Sequence, residues 1–524
     1  MIVLPATAPM STAIAMAAPA VVLGGLLLWL INWYFHEQKS RVSAVQKKSR
    51  GSQLPPVPEV SGLPVIGNAL QLREGKPHMT FVKLAKKYGP IYSIRVGSKP
   101  IIVLNSEDIA KEAMVTRFSS ITRKNLSKTL SRAAFDRKMV ALCDYGDFHK
   151  TAKRHLTHNV VGPNAQKQHR GHRDTLIDDV VKDFHTHVKN HGLQPVNFRD
   201  IYSSDIFGLA LKEAIGRDVE YINVEELGRL SRPEILKILL TDPVEIALQY
   251  VDLGDYFPCL KWIPQRNFER KVEKMYSRRL AVMKALIKEQ TKRAASGAEM
   301  NNCYLKYLLA EGKTLTEKEI TSLVWEVIIE SSDTTMITTE WALFELAKNQ
   351  KIQESLYEEI RSVCGSDKVT EDNLCQLPIL DAVFHETLRK YPALPMVPLR
   401  YVNEDIELGG YYVPAGSEIA INLYGCNMNE KQWERPEEWN PERFLDDKKE
   451  YAPNDLYKTM AFGAGKRLCA GSLQGVVIGS TTIARLVQEF EWRLEDREEK
   501  DVDIVGIATM KLRPMHAVIR PRNL

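Results

Sequence analysis

Cysteine is scarce in this chain. There are seven in 524 residues: Cys143, Cys259, Cys303, Cys364, Cys375, Cys426 and Cys469. They are widely spaced and odd in number, and none forms a CxxC pair. This excludes a disulfide scaffold and a four-ligand zinc site, and it suits a reduced, cytosol-facing protein. An excess of charge of one sign is also missing. Seventy-one basic and 66 acidic residues leave a net +5, too mild to imply a nucleic-acid partner. No G-x-G-x-x-G follows a strand-like run, so the chain has no dinucleotide site of its own. Internal repeats and low-complexity tracts are absent as well. What remains is 44% hydrophobic with ordinary glycine and proline content, enough for a large globular core.

Charge is missing altogether from Ile2 to Phe35. Within that stretch Ala13 to Phe35 is long enough to span a bilayer, which takes about 20 apolar residues. Trp29, Trp33 and Tyr34 fall at headgroup level, and Lys39, Arg41, Lys47, Lys48 and Arg50 follow. The positive-inside rule then places the rest of the chain in the cytosol. A cleaved secretory signal would begin with a basic region, which this N-terminus lacks. Residues 1–36 therefore read as a retained single-pass anchor. Residues 37–70 read as a basic patch and a proline-rich hinge, with Pro55, Pro56, Pro58 and Pro64 stiffening it before Gly67.

Residues 71–524 form the main body, and their patterning predicts a mainly α fold with a minor β region. Helical periodicity begins at His78, resumes near Ser106, and dominates from about Asn164 to Thr316 apart from the break YFPCLKWIP. Strand-like runs cluster near 91–104, near 395–425 and at the C-terminus.

The stretch that organises the chain is FGAGKRLCAG, Phe462 to Gly471. Gly465 and Gly471 allow a tight turn and close approach to a flat ligand. Arg467 can pair with an anionic group such as a propionate. Phe462 can cover the sulfur of Cys469. The helical run after Cys469 offers a positive end that favours a thiolate. A buried, inert cysteine after a Gly-rich turn is the plainer reading of such a loop. Three other stretches weigh against it. HETLRKYP places Glu386 and Arg389 one helical turn apart, and NPERF supplies Arg443. VWEVIIESSDTTMITTEWALFELA sets Asp333 and Thr334 inside an apolar helix, where polar groups need a reason.

In this order, these motifs resemble the cytochrome P-450 family over nearly everything after the anchor. The resemblance implies a P-450 fold with an N-terminal transmembrane helix, and a haem-thiolate monooxygenase catalytic domain over 71–524. It implies haem b with Cys469 as the axial iron ligand, Arg467 and Arg400 on the propionates, and Glu386, Arg389 and Arg443 as a structural network. Asp333 and Thr334 would carry protons above the haem. The family usually has Ala/Gly-Gly before x-Asp/Glu-Thr-Thr, whereas this chain has Glu330 and Ser331. A Trp–Arg pair is replaced by Phe148 and His149, which leaves Lys153 or Arg154 to take over. Val327, Glu330, Ser331, Pro395, Met396, Val397, Pro398, Ile507 and Ala508 become pocket candidates.

Within the family, DYGDFHK, FGLALK, SSDTTMITTEWALFELAK and KRLCAGSLQ resemble the ent-kaurene oxidases. That likeness implies stepwise oxidation of a diterpene methyl group to alcohol, aldehyde and acid, in diterpenoid (gibberellin) biosynthesis. The implied partners are NADPH–cytochrome P-450 reductase and a membrane, either endoplasmic reticulum or plastid outer envelope. Lys153, Arg154, Lys458 and Lys466 would offer the reductase a basic patch. A related diterpene hydroxylase is the first alternative. An oxygen-independent haem-thiolate isomerase or dehydratase and a non-catalytic haem protein are more distant ones.

Overall fold

A computed structural model of the chain describes residues 45–522, apart from 73–74, 125, 250–252, 258–259, 261–265, 298–301, 312–313, 446–458 and 496–508, and also 36, 40 and 43. The expected anchor segment Ala13 to Phe35 lies outside the described residues, as do Lys458, Ile507 and Ala508. Among the described residues no helix is long and apolar enough to cross a membrane.

Helices make up most of the body. Those that build the site are α1 (Asp147–Leu156), α2 (Pro163–His191), α3 (Phe198–Ile215), α4 (Glu317–Lys348), α5 (Pro378–Lys390) and α6 (Ser472–Glu489). α4 is the axis. It starts at a capping box, in which Thr316 N–H donates to the Glu319 carboxylate at 3.0 Å and Glu319 N–H donates back to the Thr316 hydroxyl. Its middle is apolar on nearly every side, as a helix run through a core must be. Trp325, Val327 and Ile328 pack in one cluster with Phe135 and Phe207. Ile337, Trp341 and Phe344 pack in another with Phe184, Phe198 and Trp492. Trp341 stacks on Tyr391 with ring centroids 3.8 Å apart, and its indole N–H donates to Met510 O at 2.6 Å. Between the two clusters, from Ile329 to Thr334, only Ser332 is buried and Glu330 is exposed. A core helix that loses its cover for more than a turn borders an internal cavity.

The main sheet has five strands: β1 (Ile91–Val96), β2 (Lys99–Leu104), β3 (Arg123–Lys124), β4 (Arg400–Tyr401) and β5 (Glu418–Ile421). Their spatial order is β1-β2-β5-β4-β3. β5 runs parallel to β2 with Glu418 opposite Ile101, and β3 runs antiparallel to β4 with Lys124 opposite Arg400. The strand region anticipated at 91–104 thus joins Arg400–Tyr401 and Glu418–Ile421 of the 395–425 region in one sheet, while Ile406–Leu408 and Tyr411–Val413 pair as a separate hairpin. The long helical middle also contains a hairpin, Tyr221–Val224 with Gly228–Ser231. Its period-two alternation of exposed and buried residues was masked by the surrounding helical pattern.

The proline-rich hinge is extended, as expected, but it is not free-standing. Tyr412 N–H donates to Pro55 O at 2.9 Å, Ser93 N–H to Pro58 O at 2.7 Å, and Val60 N–H to Ser93 O at 2.9 Å. The prolines sit where their missing N–H groups cost nothing, while their carbonyls join the sheet edge.

α6 carries the end of the Cys469 loop and is set against α5 by a close approach at Gly479. A Cβ there would meet Phe384 Cε2 at 2.6 Å. Gly479→Val overpacks this contact and is expected to destabilise the protein by about 1–3 kcal/mol. Thermal unfolding of the variant checks it, and an unchanged midpoint would contradict the packing described.

Candidate active site

The Cys469 loop turns at Gly463 and Gly465, whose φ values are +72° and +66°. A Cβ at Gly465 would also meet Met114 O at 2.6 Å, so that position needs glycine twice over. Gly471 has φ −88° and caps α6, so the tight turn belongs to Gly463 and Gly465 and not to Gly471. Cys469 N–H donates to Phe462 O at 2.9 Å, which folds the loop back on itself. Cys469 is exposed, yet protein closely surrounds its thiol. Burial, followed by the charge of Glu330, pushes its pKa up to about 11, against the opposing help of Gly471 N–H and Lys153. The helix start favours the thiolate, as expected from sequence, but burial outweighs it. Coordination to a metal would produce it.

Three cations converge above this loop. Lys124 and Arg400 are both buried and stand directly opposite each other on β3 and β4. Like charges so placed repel. Burial and then Arg467 and Arg400 bring the Lys124 pKa down to about 7, and burial and then Arg467 bring Arg400 down to about 10. Arg467 donates to Val140 O at 3.0 Å and to Cys143 O. Its Nε, the Nε of Arg400 and the Nδ1 of buried His149 have no hydrogen-bond partner among the described residues. A buried set of unpaired donors and mutually repelling cations fits an anionic ligand.

This cluster revises two sequence expectations. Arg154 is exposed, in a surface cleft of about 540 Å³ lined also by Lys150, Lys153, His158 and Lys466, and does not reach the cations. Lys153 donates to Lys466 O at 3.2 Å and Leu468 O at 2.9 Å, bracing the Cys loop from below. Lys124 stands in the cluster instead. Nothing in sequence marked it, since only the pairing of two distant two-residue strands brings it to Arg400.

α4 supplies the facing wall. Thr334 Oγ–H donates to its own helix, to Glu330 O at 3.3 Å, and the residue is half-buried at the cavity. Asp333 pairs with Lys511 at 3.0 Å, both partly exposed. Ser331 is half-buried beside them. Val327, by contrast, is packed in the core and does not open on the cavity. One turn before Glu330 lies Glu326, which the sequence reading passed over. Its carboxyl accepts Val140 N–H at 2.8 Å and Ala141 N–H at 2.7 Å, so that it and Arg467 grip the same loop from opposite sides. Burial pushes the Glu326 pKa up to about 7. A second acid four residues before Glu330, inside an apolar run, was the signal available.

Pro395 to Pro398 link α5 to β4. Val397 N–H donates to Ile421 O at 3.0 Å, and Tyr424 N–H to Pro395 O at 3.0 Å. Pro395 is buried, Met396 and Val397 are half-buried, and Pro398 is exposed. Below them Glu386 and Arg389 are fully buried, with Arg389 Nε 2.6 Å from Glu386 Oε2 and Arg443 Nε 3.2 Å from Oε1. Arg389 also donates to Asn427 O at 2.9 Å. The other E-x-x-R matches, Glu226/Arg229 and Glu358/Arg361, lie exposed.

A mainly helical body with a small mixed sheet, and a cysteine loop facing a cation cluster, define a haem-thiolate protein. The Cytochrome P450 family model matches residues 55–518, and the chain belongs to that family. It is therefore a monooxygenase whose cofactor is haem with an axial cysteine thiolate. It is 53% identical over 512 residues to an ent-kaurene oxidase of Salvia miltiorrhiza, covering 97% of this chain and 96% of that protein. It is 50% identical over 484 residues to ent-kaurene oxidase 2 of Oryza sativa subsp. japonica, covering 92% and 94%. It is also 46% identical over 471 residues to the ent-sandaracopimaradiene 3-hydroxylase of the same plant, covering 89% and 91%.

The Glu386 network generates one prediction. Arg389→Met leaves a buried carboxylate with one cation fewer and is expected to cost about 3–5 kcal/mol. Denaturant unfolding measures this, and a loss under about 1 kcal/mol would contradict the burial of the pair.

Proposed function

We propose that the chain is an ent-kaurene oxidase, taking a methyl group of that diterpene through alcohol and aldehyde to the acid. The observation that carries this reading is the 53% identity to an ent-kaurene oxidase, sustained over 97% of the chain. The 46% identity to a hydroxylase of a different diterpene supports, as second reading, a related enzyme acting on another ring system.

In this proposal Cys469 holds the haem iron, and Phe462 and the Gly463–Gly465 turn close the loop under it. Lys124, Arg400, Arg467 and His149 would hold the two propionates, each supplying a donor that otherwise lacks an acid. The bound haem supplies oxygen activation and attack on an unactivated C–H bond. The chain's own residues position substrate, exclude water and move protons. Thr334 presents a hydroxyl at the cavity, and Asp333, held by Lys511 at the partly exposed end of the path, passes protons towards it. The apolar segment at 1–36 would anchor the enzyme in a membrane with the body in the cytosol. The cleft bearing Lys150, Lys153, Arg154 and Lys466 lies against the Cys loop and would receive the acidic face of NADPH–cytochrome P-450 reductase.

The test is an assay of full-length protein in microsomes with reductase, NADPH and ent-kaurene, with products read by mass spectrometry. Alcohol, aldehyde and acid are expected. A ferrous–CO band typical of thiolate ligation without any product would overturn the substrate reading. Cys469→Ala should lose that band, and its survival would remove Cys469 as ligand. Thr334→Ala should lower product formed per NADPH several-fold and release hydrogen peroxide, and unchanged coupling would remove Thr334 from the proton path.

A further inference from the structure

Glu330 has no task in the scheme above. It stands one turn before Thr334 on the cavity side of α4, and from Glu319 to Ala347 it is the one exposed side chain. Among the described residues no protein group hydrogen-bonds its carboxyl. The titratable groups whose charge reaches it are Glu326 on its own helix, Lys124 on β3 and Cys469 across the cavity. A polar side chain thus faces, with no protein hydrogen-bond partner among the described residues, the α4 side of the cavity that Thr334 also lines, where a substrate would lie across the haem from Cys469. Burial and then Glu326 hold its pKa well above the usual carboxylate range, with Lys124 opposing only in part. Burial thus favours the protonated form, which offers one O–H donor beside its acceptors.

A hydrocarbon gains nothing from such a group and leaves it unsatisfied. A substrate that already carries oxygen gains a hydrogen bond. Sites that present a polar group to a substrate hydroxyl discriminate far more sharply than purely apolar ones. We propose that Glu330 is a specificity-determining residue that recognises the oxygen placed on the substrate by the first oxidation, holding first the alcohol and then the aldehyde in the cavity for the next round. The inference rests on the ent-kaurene reading above. Each round consumes one dioxygen and one NADPH; the alcohol round releases two waters, and the methyl and aldehyde rounds release one each. Glu330 takes no part in that balance. It decides whether the intermediate stays.

The test compares wild type, Glu330→Leu and Glu330→Gln as full-length holoenzymes with intact ferrous–CO spectra. Ferric-state spectral titrations give the ratio of Kd for ent-kaurenol to Kd for ent-kaurene, and turnover assays give the ratio of alcohol to acid. In Glu330→Leu both ratios should rise about tenfold, the effect of one lost hydrogen bond to a buried partner. Glu330→Gln keeps an N–H donor and should fall between Leu and wild type. Equal changes for both ligands, or an unaltered alcohol-to-acid ratio, would overturn the inference. So would peroxide release with all three steps slowed alike, which would place Glu330 in proton delivery. If wild type makes acid and the Leu variant matches it, only this inference fails. If wild type leaves ent-kaurene untouched, the substrate reading fails and takes the inference with it.

Discussion

The structure depends on a charge problem that protein groups alone leave unsolved. Lys124 and Arg400 are buried directly across a strand pair, with Arg467 close enough to depress both. Arg467 directs two of its donors to the carbonyls of Val140 and Cys143, but none of the three meets a carboxylate among the described residues. Clustered cations lacking a counter-charge are costly until an anion completes them. The sheet register sets two of these groups, and the Cys469 loop sets the third. The same loop aims a thiol into the same cavity. A ligand that is flat, carries two carboxylates and binds sulfur through a metal satisfies every one of these groups at once. Haem is that ligand, and family membership names it independently.

The carboxylates are arranged by a complementary logic. Glu386 is fully buried but meets Arg389 and Arg443, so it braces the segment between α5 and the Pro441–Phe444 turn. Glu326 is buried without a contacting cation among the described residues and instead accepts two backbone N–H groups. Glu330 has neither. Three acids in one protein therefore meet three settings, each defined by what surrounds the carboxyl: ion-paired, amide-bonded and unpartnered. The distinction matters because only the unpartnered group remains available to a substrate.

Much of this was legible in sequence, and the reasons for success and failure are physical. The Cys469 loop, α4 and the Glu386–Arg389 helix are local patterns, and local patterns survive in a one-dimensional reading. Choosing Glu386/Arg389 over Glu226/Arg229 and Glu358/Arg361 needed motif order, and burial now gives the same choice. Lys124 was invisible because its role arises from pairing β3 with a strand about 276 residues away. Arg154 was misplaced because the phase of α1 decides which of two adjacent cations faces outward. The helix-start argument for a Cys469 thiolate was right in sign, yet desolvation outweighs it. Gly471 looked like a turn glycine but serves as an ordinary helix cap.

The most direct test of the central claim is the rate of haem loss from wild type and Lys124→Met, followed by transfer to excess apomyoglobin. The account predicts loss at least about tenfold faster in the variant, as expected when a charge-assisted hydrogen bond to a carboxylate is removed, with the position of the ferrous–CO band unchanged. Equal rates of loss, together with a more stable variant, would show that Lys124 is merely an unpaired buried cation, and the cation cluster would no longer explain the site.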